Sequence, residues 1–240
     1  MPADGLEGHV AVVTGALGNL GPVWREALAA AGATVVGLDI RAAADIVQAD
    51  VTDRAALERA LERIRGEHGV PSVLVNNAGI DVPPGAATES SFRETLDVNV
   101  VGAYNTTQVF GEAMCEEGRG SIVNIGSLYA SIAPIPAFYD HIEPPFVKPA
   151  AYGASKAALV NLTRYFARLW GPRGVRVNAL SPGGVRGGQD EEFVLKYAER
   201  VPLGRMAEPA DLVGPLLFLA SDASRYVTGH ELRADGGFTA

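Results

Sequence analysis

The sequence predicts a doubly wound α/β domain, with a seven-stranded parallel sheet and helices on both faces of the sheet. Short β-branched apolar runs alternate with longer amphipathic runs along the chain, as expected for repeated βαβ units with right-handed crossovers. The strand candidates are apolar along their length, which indicates burial on both faces. Glycine supplies 28 of the 240 residues although 48% of the chain is hydrophobic. The glycines therefore indicate tight strand-to-helix turns rather than disorder.

The predicted elements alternate in chain order. Strands are expected at residues 9–14, 34–39, 45–49, 73–76, 121–125, 176–180 and 231–234. Helices are expected at residues 20–31, 53–67, 92–117, 150–170 and 209–221. The first helix has Pro22 in its first turn, where the missing N–H costs little, and Gly32 ends it. The third helical pattern contains Gly102, near which it allows a break.

A single domain is expected over residues 1–240, because no stretch has the composition of a linker. The long irregular segment at residues 128–149 contains Pro134, Pro136, Pro144, Pro145 and Pro149. Long loops inside compact domains are usually lids or binding loops. A lid over a site and a decoration at a subunit contact are both compatible with this segment.

Composition and charge exclude several classes of partner. The net charge is −8 without a basic cluster, which argues against a nucleic-acid partner. Cys115 is the sole cysteine, so we expect no internal disulfide and a cytoplasmic location. We expect no membrane contact and no signal peptide, because no apolar run approaches about 20 residues and the N-terminus is acidic. The scattered histidines predict no metal site.

A glycine-rich turn, "TGALGNLG", follows the first strand and opens the first helix. It contains Gly15, Gly18 and Gly21 at intervals of three. Glycine lets a phosphate approach the backbone, and the N–H groups and positive dipole end of a helix attract a pyrophosphate. This context predicts a dinucleotide-binding site, and the alternative is an ordinary glycine-rich turn.

Asp39 ends the second strand, 18 residues after Gly21. An acidic residue at this place bonds the ribose hydroxyls of NAD and repels the 2′-phosphate of NADP. We therefore expect NAD as the cofactor and NADP as less suitable, although Arg41 lies close enough to complicate the preference. The alternative is that Asp39 caps the next segment. Asp50 and Val51 close the third strand, where an adenine would lie against Val51.

Tyr152 and Lys156 are four residues apart in a helical pattern, so they share a face. A tyrosine has a pKa of about 10, and a nearby ammonium would lower it. The pair then suits proton transfer to a carbonyl or from an alcohol. Taken alone, this common spacing favours a surface helix pair.

Further motifs accompany this pair in a fixed order: "VNNAG", "LDVNVVG", "SIVNIGS", "VRVNALSPGGV" and "YVTGHELRADGG". The set resembles the short-chain dehydrogenase/reductase family over nearly the whole chain. The resemblance implies a single Rossmann-type domain that transfers hydride between a nicotinamide and a carbonyl or alcohol. It also implies a homo-oligomer, a tetramer or dimer, with helices 92–117 and 150–170 at one interface.

The resemblance assigns roles residue by residue. Tyr152 would be the general acid/base and Lys156 would lower its pKa and hold the nicotinamide ribose, while Ser127 would bond the substrate oxygen. Asn99 would hold a water that links Lys156 to solvent. The full set of expected cofactor contacts is Gly15, Gly18, Asn19, Leu20, Gly21, Asp39, Asp50, Val51, Asn77, Ala78, Gly79, Tyr152, Lys156, Pro182, Gly183 and Val185.

Three features depart from the family pattern. The usual motif T-G-x-x-x-G-x-G places a glycine where this chain has Asn19, and its middle glycine, Gly18, stands one place earlier. We expect the Asn19 side chain to turn toward the ribose or pyrophosphate, and the uncharged Gly18 agrees with NAD. The spacing from Ser127 to Tyr152 is 25 residues, lengthened by the proline-rich segment. Gly187 replaces a common threonine, which removes one expected cofactor contact.

The substrate site is expected over Ser127 and Tyr152, beneath a substrate loop at about 184–205. Polar candidates for substrate contact are Ser127, Tyr129, Tyr139, His141, Arg186 and Gln189. They suit a polyol, sugar or sugar-acid derivative, and their alternative role is that of solvent-facing loop residues. Two other functions remain open: an NADPH-dependent ketoreductase of acyl or secondary-metabolite type, and a non-catalytic dinucleotide-binding sensor.

Overall fold

The computed structural model describes residues 5–82, 87–143 and 148–240. Seven parallel strands form one sheet in the order β3-β2-β1-β4-β5-β6-β7. The strands are β1 Val10–Thr14, β2 Thr34–Asp39, β3 Ile46–Gln48, β4 Val73–Asn76, β5 Gly120–Ile125, β6 Val175–Pro182 and β7 Glu231–Ala234. The predicted doubly wound sheet is therefore confirmed, and the chain reverses its direction of winding between β1 and β4.

Seven α-helices connect and cover the strands in the described residues. They are α1 Gly21–Ala30, α2 Arg54–His68, α3 Glu89–Leu96, α4 Ala103–Glu116, α5 Ala150–Trp170, α6 Glu191–Ala198 and α7 Val213–Ala220. The predicted helix 92–117 is divided, because a π-helical turn at Asp97–Gly102 separates α3 from α4. Helix α6 was not predicted from the sequence, and it lies inside the segment 184–205, whose role as a substrate loop stays a prediction.

The two faces of the sheet bury different residues of each strand. In β1, Val10 and Val12 pack under α2, α4 and α5, whereas Ala11 and Val13 pack under α1 and α7. This alternation follows from the two-residue period of a strand. Both sets are apolar because helices cover both faces, which explains the continuous apolar runs in the sequence.

The described part of the proline-rich segment packs against α6. Phe138 is buried there, with its ring centroid 5.8 Å from that of Phe193 and 5.7 Å from that of Tyr197. Tyr139 joins this cluster at 5.4 Å from Phe193. The segment and α6 therefore form one layer beyond the carboxyl ends of the strands. The predicted prolines Pro144 and Pro145 lie outside the described residues.

The outer face of α4 and α5 carries exposed apolar side chains. Tyr104, Tyr165 and Leu169 are 40%, 57% and 48% exposed. This is the face that the sequence resemblance assigns to a subunit contact, and the oligomeric state stays a prediction. Among the described residues, no helix is both long enough and apolar enough to span a membrane.

A close contact between α4 and α5 gives a test of the packing. A Cβ at Gly111 would lie 2.3 Å from Cζ3 of Trp170, whereas a Cβ at Gly66 in α2 would meet open space. We expect Gly111→Ala to destabilise the fold by about 1–3 kcal/mol through overpacking. Gly66→Ala should stabilise it by up to about 1 kcal/mol through helix propensity. Urea unfolding of both variants measures the two effects, and equal stabilities would contradict the packing described here.

Candidate active site

A cleft of about 910 Å³ opens at the carboxyl ends of the strands, beside the point where the winding reverses. Open α/β sheets bind ligands at this place. The predicted cofactor residues that line it are Gly15, Gly18, Asn19, Leu20, Asp39, Asp50, Val51, Asn77, Ala78, Gly79, Tyr152 and Lys156. Among the described residues, four further predicted contacts, Gly21, Pro182, Gly183 and Val185, are not part of its lining.

The glycine turn is shaped by close backbone contacts. Gly15 has φ +61°, and a Cβ on it would lie 2.8 Å from Cα of Ala78. A Cβ on Gly21 would lie 2.4 Å from the carbonyl oxygen of Gly15, so Gly21 acts beneath the turn rather than in the cleft. The N–H of Gly18 donates to the Gly15 carbonyl at 3.0 Å. Leu20, whose side chain has no acceptor, holds the N-cap position of α1.

Asn77 ties this turn to the end of β4. Its side-chain amide donates to the carbonyls of Thr14 at 3.1 Å and Gly15 at 3.0 Å. Its side-chain oxygen accepts a hydrogen bond of 2.8 Å from the indole N–H of Trp24 in α1. Asn77 was predicted to line the groove, and the structure shows that it also joins β1, the glycine turn and α1. The contact with Trp24 was not predicted from the sequence.

Asp39 is buried at the far end of the cleft. Its carboxylate accepts hydrogen bonds from the Leu17 N–H at 2.9 Å, from the Arg41 N–H at 3.0 Å and from the Arg41 side chain at 3.1 Å. Burial opposes ionisation, but the hydrogen bonds from Arg41 and Leu17 outweigh it and hold the pKa of Asp39 below its usual range. The carboxylate is therefore a fixed negative charge with Arg41 beside it.

Asp50 and Val51 lie in the wall of the cleft. Asp50 accepts hydrogen bonds of 2.8 Å from the N–H and from the hydroxyl of Thr52, so one of its oxygens stabilises its own turn. Val51 packs against Gly102, where a Cβ would come within 2.5 Å of its Cγ2. Gly102, at the end of the π-helical turn, thus allows Val51 in the cleft wall to approach that turn.

Tyr152 lies at the other end of the cleft, close to Ser127 and Lys156. Burial and the negative charge of Asp81 raise the pKa of Tyr152 to about 12, although a hydrogen bond with Ser127 lowers it. The pKa of Tyr152 is therefore raised in this structure, and the lowering of this pKa by Lys156 stays a prediction. Desolvation of the phenolate is the largest cause of this rise, and Nζ of Lys156 lies 5.4 Å from the ring centroid.

Lys156 is buried, and its ammonium donates to the Ile125 carbonyl at 2.8 Å. Burial lowers the pKa of Lys156 to about 8, against a smaller opposite effect of Asp81. Asn99, also buried, accepts from the Ile80 N–H at 2.7 Å and donates to the Ile80 carbonyl at 2.9 Å. The Asn99 side chain thus holds the main chain after β4, and the water that we predicted there stays a prediction.

The predicted substrate residues divide into two groups. Tyr129 lies near Tyr152, with ring centroids 6.5 Å apart in an edge-on arrangement, and its hydroxyl lies 3.4 Å from that of Tyr139. His141 instead bonds Asp190 at 2.8 Å, near the start of α6, and lies 3.2 Å from Nζ of Lys196. The structure therefore brings Tyr129 close to Tyr152, whereas His141 is bonded to residues of α6 and its N-cap.

The loop after β6 is held mostly by its own contacts. Gln189 accepts from the Gly187 N–H at 2.8 Å and donates to the Val185 carbonyl at 3.0 Å, so its amide closes this loop. The Arg186 side chain is exposed. Gly183 lines a smaller cavity of about 240 Å³, shared with α6 and β7. The nicotinamide contacts predicted for Pro182, Gly183 and Val185 stay predictions.

A group of possible metal ligands occurs in the described residues at Asp140, His141 and Glu192. The Lys196 ammonium ion-pairs with Asp140, lies 2.8 Å from Glu192 and lies 3.2 Å from His141. One lysine ammonium therefore already pairs with both carboxylates of this group, which links the proline-rich segment to α6.

Comparison with known proteins identifies the family. A family model described as enoyl-(acyl carrier protein) reductase matches residues 20–239. A galactitol 2-dehydrogenase (L-tagatose-forming) of Cereibacter sphaeroides is 38% identical over 259 residues, covering 98% of this chain and 96% of the relative. The chain belongs to the short-chain dehydrogenase/reductase family.

Solved members of the short-chain dehydrogenase/reductase family share the fold. One from Leptospira borgpetersenii serovar Hardjo-bovis, with bound NAD+, has a TM-score of 0.89 and 34% identity, covering 99% of this chain and 95% of that one. A gluconate 5-dehydrogenase from Burkholderia cenocepacia, in complex with NADP and tartrate, has a TM-score of 0.87 and 30% identity, with coverages of 99% and 97%. Similar relatives thus bind either dinucleotide, and a preference in this protein would depend on its own residues.

The geometry of the cleft in this protein fits a dinucleotide. A Cβ on Gly15 would collide with the main chain of Ala78, so the turn at the floor of the cleft requires glycine. The cleft runs from the Asp39 carboxylate to Tyr152. The glycine turn and the start of α1 would hold the pyrophosphate, because main-chain N–H groups and a positive dipole end meet there.

A charged pair that was not predicted from the sequence lies beside Tyr152. Lys148 ion-pairs with Asp81, and its ammonium lies 5.4 Å from the centroid of the Tyr152 ring. Asp81 comes shortly after β4, at the edge of the sheet where ligands bind. Its position in the sequence could therefore have indicated that it lies at the site. Lys148 is far away in sequence, so its arrival there required the fold.

The buried Lys156 gives a stability test. Its pKa of about 8, against 10.5 for an ordinary lysine, means that the folded state opposes the ammonium. The loss of folding stability caused by burying the charged lysine is complete below pH 8, and it disappears as the pH rises to about 10.5. We expect Lys156→Met to raise the free energy of unfolding at pH 7 by about 1–2 kcal/mol, after loss of the bond to the Ile125 carbonyl. Denaturant unfolding at pH 7 and pH 10.5 measures the gain, which should shrink at the higher pH.

The control is Lys196→Met. Lys196 is paired with carboxylates, and these pairs raise its pKa. This variant should gain no stability at pH 7. An equal gain in both variants would contradict a specific cost at Lys156.

Proposed function

We propose that this protein is an NAD-dependent dehydrogenase that transfers a hydride between nicotinamide and a carbonyl or alcohol group of a small polar substrate. The substrate class that we propose is a polyol, sugar or sugar-acid derivative. The observation that carries the proposal is the single cleft that contains Asp39 at one end and Tyr152 with Lys156 at the other. A dinucleotide bound along it would present its reactive ring beside the proton-transfer groups.

Tyr152 is the proposed general acid/base. With a pKa of about 12 it is protonated at neutral pH, which is the state required to donate a proton to a carbonyl oxygen during reduction. Oxidation requires the phenolate, which alkaline pH favours. The bound nicotinamide supplies or accepts the hydride.

Ser127 and Lys156 support this proton transfer. Ser127 is buried and its side chain lowers the pKa of the tyrosine, so its hydroxyl is placed to bond the oxygen on which charge develops. Lys156 places a cation 5.4 Å from the tyrosine ring centroid. Its positive charge favours the phenolate, although burial has the larger effect on the pKa of the tyrosine in this structure.

Asp39 supports NAD as the cofactor. It is a buried carboxylate at the end of β2 with a lowered pKa, so it stays charged at neutral pH. A fixed negative charge accepts hydrogen bonds from ribose hydroxyls and repels a 2′-phosphate. Arg41 opposes this preference, but it is already bonded to Asp39.

The substrate class is supported by the surroundings of Tyr152 and by the relatives. Tyr129, Ser127, Asp81 and Lys148 provide hydroxyl, carboxylate and ammonium groups near the reacting end of the cleft. Such groups bond a hydroxylated compound and oppose a lipophilic one. The galactitol 2-dehydrogenase of Cereibacter sphaeroides and the gluconate 5-dehydrogenase of Burkholderia cenocepacia are named for substrates of this class.

Replacement of Tyr152 tests the mechanism. Tyr152→Phe should lower kcat for galactitol oxidation by at least about 100-fold, because it removes the acid/base group. The affinity for NAD, measured by quenching of protein fluorescence, should change little. Tyr129→Phe is the matched control, since it removes a neighbouring hydroxyl and should have a smaller effect on kcat. Undiminished turnover in Tyr152→Phe would refute the mechanism and favour a function outside catalysis.

Replacement of Asp39 tests the cofactor. The wild-type protein should bind NAD more tightly than NADP. Asp39→Ala should weaken NAD binding about 10-fold or more by loss of charged hydrogen bonds, and it should strengthen NADP binding because Arg41 is released. Arg41→Ala is the control and should leave the affinity for NAD nearly unchanged. Tighter binding of NADP by the wild type would favour the ketoreductase alternative.

A further inference from the structure

Lys148 and Asp81 form a charged pair at the reacting end of the cleft. The Lys148 ammonium lies 5.4 Å from the ring centroid of Tyr152 and 5.7 Å from that of Tyr129. It also forms an ion pair with Asp81. The pair therefore adjoins both the proposed acid/base and the tyrosine beside it.

The same elements hold this pair and the catalytic groups. Asp81 follows Ile80, whose N–H and carbonyl are both bonded by the buried side chain of Asn99. Lys148 lies just before α5, the helix that carries Tyr152. The positions of the two charges are thus set by the catalytic framework itself.

The pair is partly removed from water. The side chain of Lys148 is 17% exposed and that of Asp81 is 35% exposed. The negative charge of Asp81 also reaches the catalytic groups, because it raises the pKa of both Tyr152 and Lys156. An isolated ion pair on a protein surface contributes little to stability, so a pair in this place is better explained by what it offers to a ligand.

We propose, on the basis of the proposed function, that Asp81 and Lys148 bind a hydroxyl group next to the reacting carbon and select neutral vicinal diols as substrates. A hydroxyl donates one hydrogen bond and accepts others, whereas a carboxylate only accepts and an ammonium only donates. A substrate hydroxyl donating to Asp81 and accepting from Lys148 satisfies both members of the pair.

Other substrate classes satisfy this pair less well. A substrate carboxylate would be attracted by Lys148 but repelled by Asp81, and it has no proton to donate. An alcohol without a neighbouring hydroxyl would desolvate both charges without bonding them. Sites built to bond a hydroxyl discriminate strongly against analogues that lack it. The pair therefore favours neutral polyols over both sugar acids and simple alcohols.

The test compares substrates that differ in one group. Oxidation of butane-2,3-diol is measured against butan-2-ol, and oxidation of galactitol against D-gluconate, with NAD and with NADP. The variants are Asp81→Asn, which removes the charge at nearly constant size, and Lys148→Met, which removes the ammonium at similar length. Asp140→Asn is the matched control, because it breaks another lysine–aspartate pair, with Lys196, in the same proline-rich segment.

The wild type should have a kcat/KM for butane-2,3-diol at least about 100-fold above that for butan-2-ol. Each variant should lower kcat/KM for the diol by about 10- to 100-fold, and it should lower that for butan-2-ol much less. Asp81→Asn should in addition raise the ratio of D-gluconate to galactitol oxidation, because Lys148 then faces a carboxylate without opposition. Asp140→Asn should change none of these ratios.

Several outcomes would overturn the inference. If the wild type has nearly equal kcat/KM values for butane-2,3-diol and butan-2-ol, the inference is wrong. This measurement needs no variant, so it holds even where a variant fails to fold. If Asp81→Asn and Lys148→Met lower kcat/KM equally for all substrates, the pair only positions the chain around Tyr152 and does not bind a substrate hydroxyl. Oxidation of D-gluconate in preference to galactitol and the diol would remove this inference while the proposed function stands. An absence of dinucleotide-linked turnover of every polar alcohol and sugar acid would instead remove the proposed function.

Discussion

The contact between the glycine turn and the end of β4 is the constraint on which the site depends. The Thr14 hydroxyl accepts from the N–H groups of Asn77 and Ala78, at 3.1 and 3.0 Å, and the Asn77 amide bonds the carbonyls of Thr14 and Gly15. These bonds require a backbone approach that only glycine allows at position 15. The cleft opens where β1 and β4 are held in this way, because the crossover helices leave the sheet in opposite directions from there.

Main-chain continuity and a set of buried and partly buried hydrogen bonds link this constraint to Tyr152. Shortly after Asn77, Ile80 is held by Asn99, whose amide also donates to the Ser155 hydroxyl at 3.0 Å. Ser155 in turn donates to the Tyr152 carbonyl at 2.7 Å. The two ends of the cleft are therefore positioned by one network. Satisfied buried networks of this kind specify one arrangement, since each unpaired member would cost free energy.

Several elements could be predicted from the sequence because their signals are local. Helix 150–170 has its predicted bounds, since its apolar period is sustained over 21 residues. The break expected near Gly102 is present as a π-helical turn. Helix α6 was missed because its buried residues, Phe193 and Tyr197, pack against a distant segment through Phe138. Eight residues give too short a period to reveal such a partner.

The sequence by itself determined the family, the sheet and twelve of the residues that line the cleft between Gly15 and Lys156, because periodicity and motif order are properties of the chain. Only the tertiary structure decided the charges around Tyr152. Its pKa depends on burial and on Asp81, and Lys148 reaches it from a segment 67 residues beyond its partner Asp81. Desolvation and long-range charge are properties of the folded volume, so neither can be deduced from the order of residues alone.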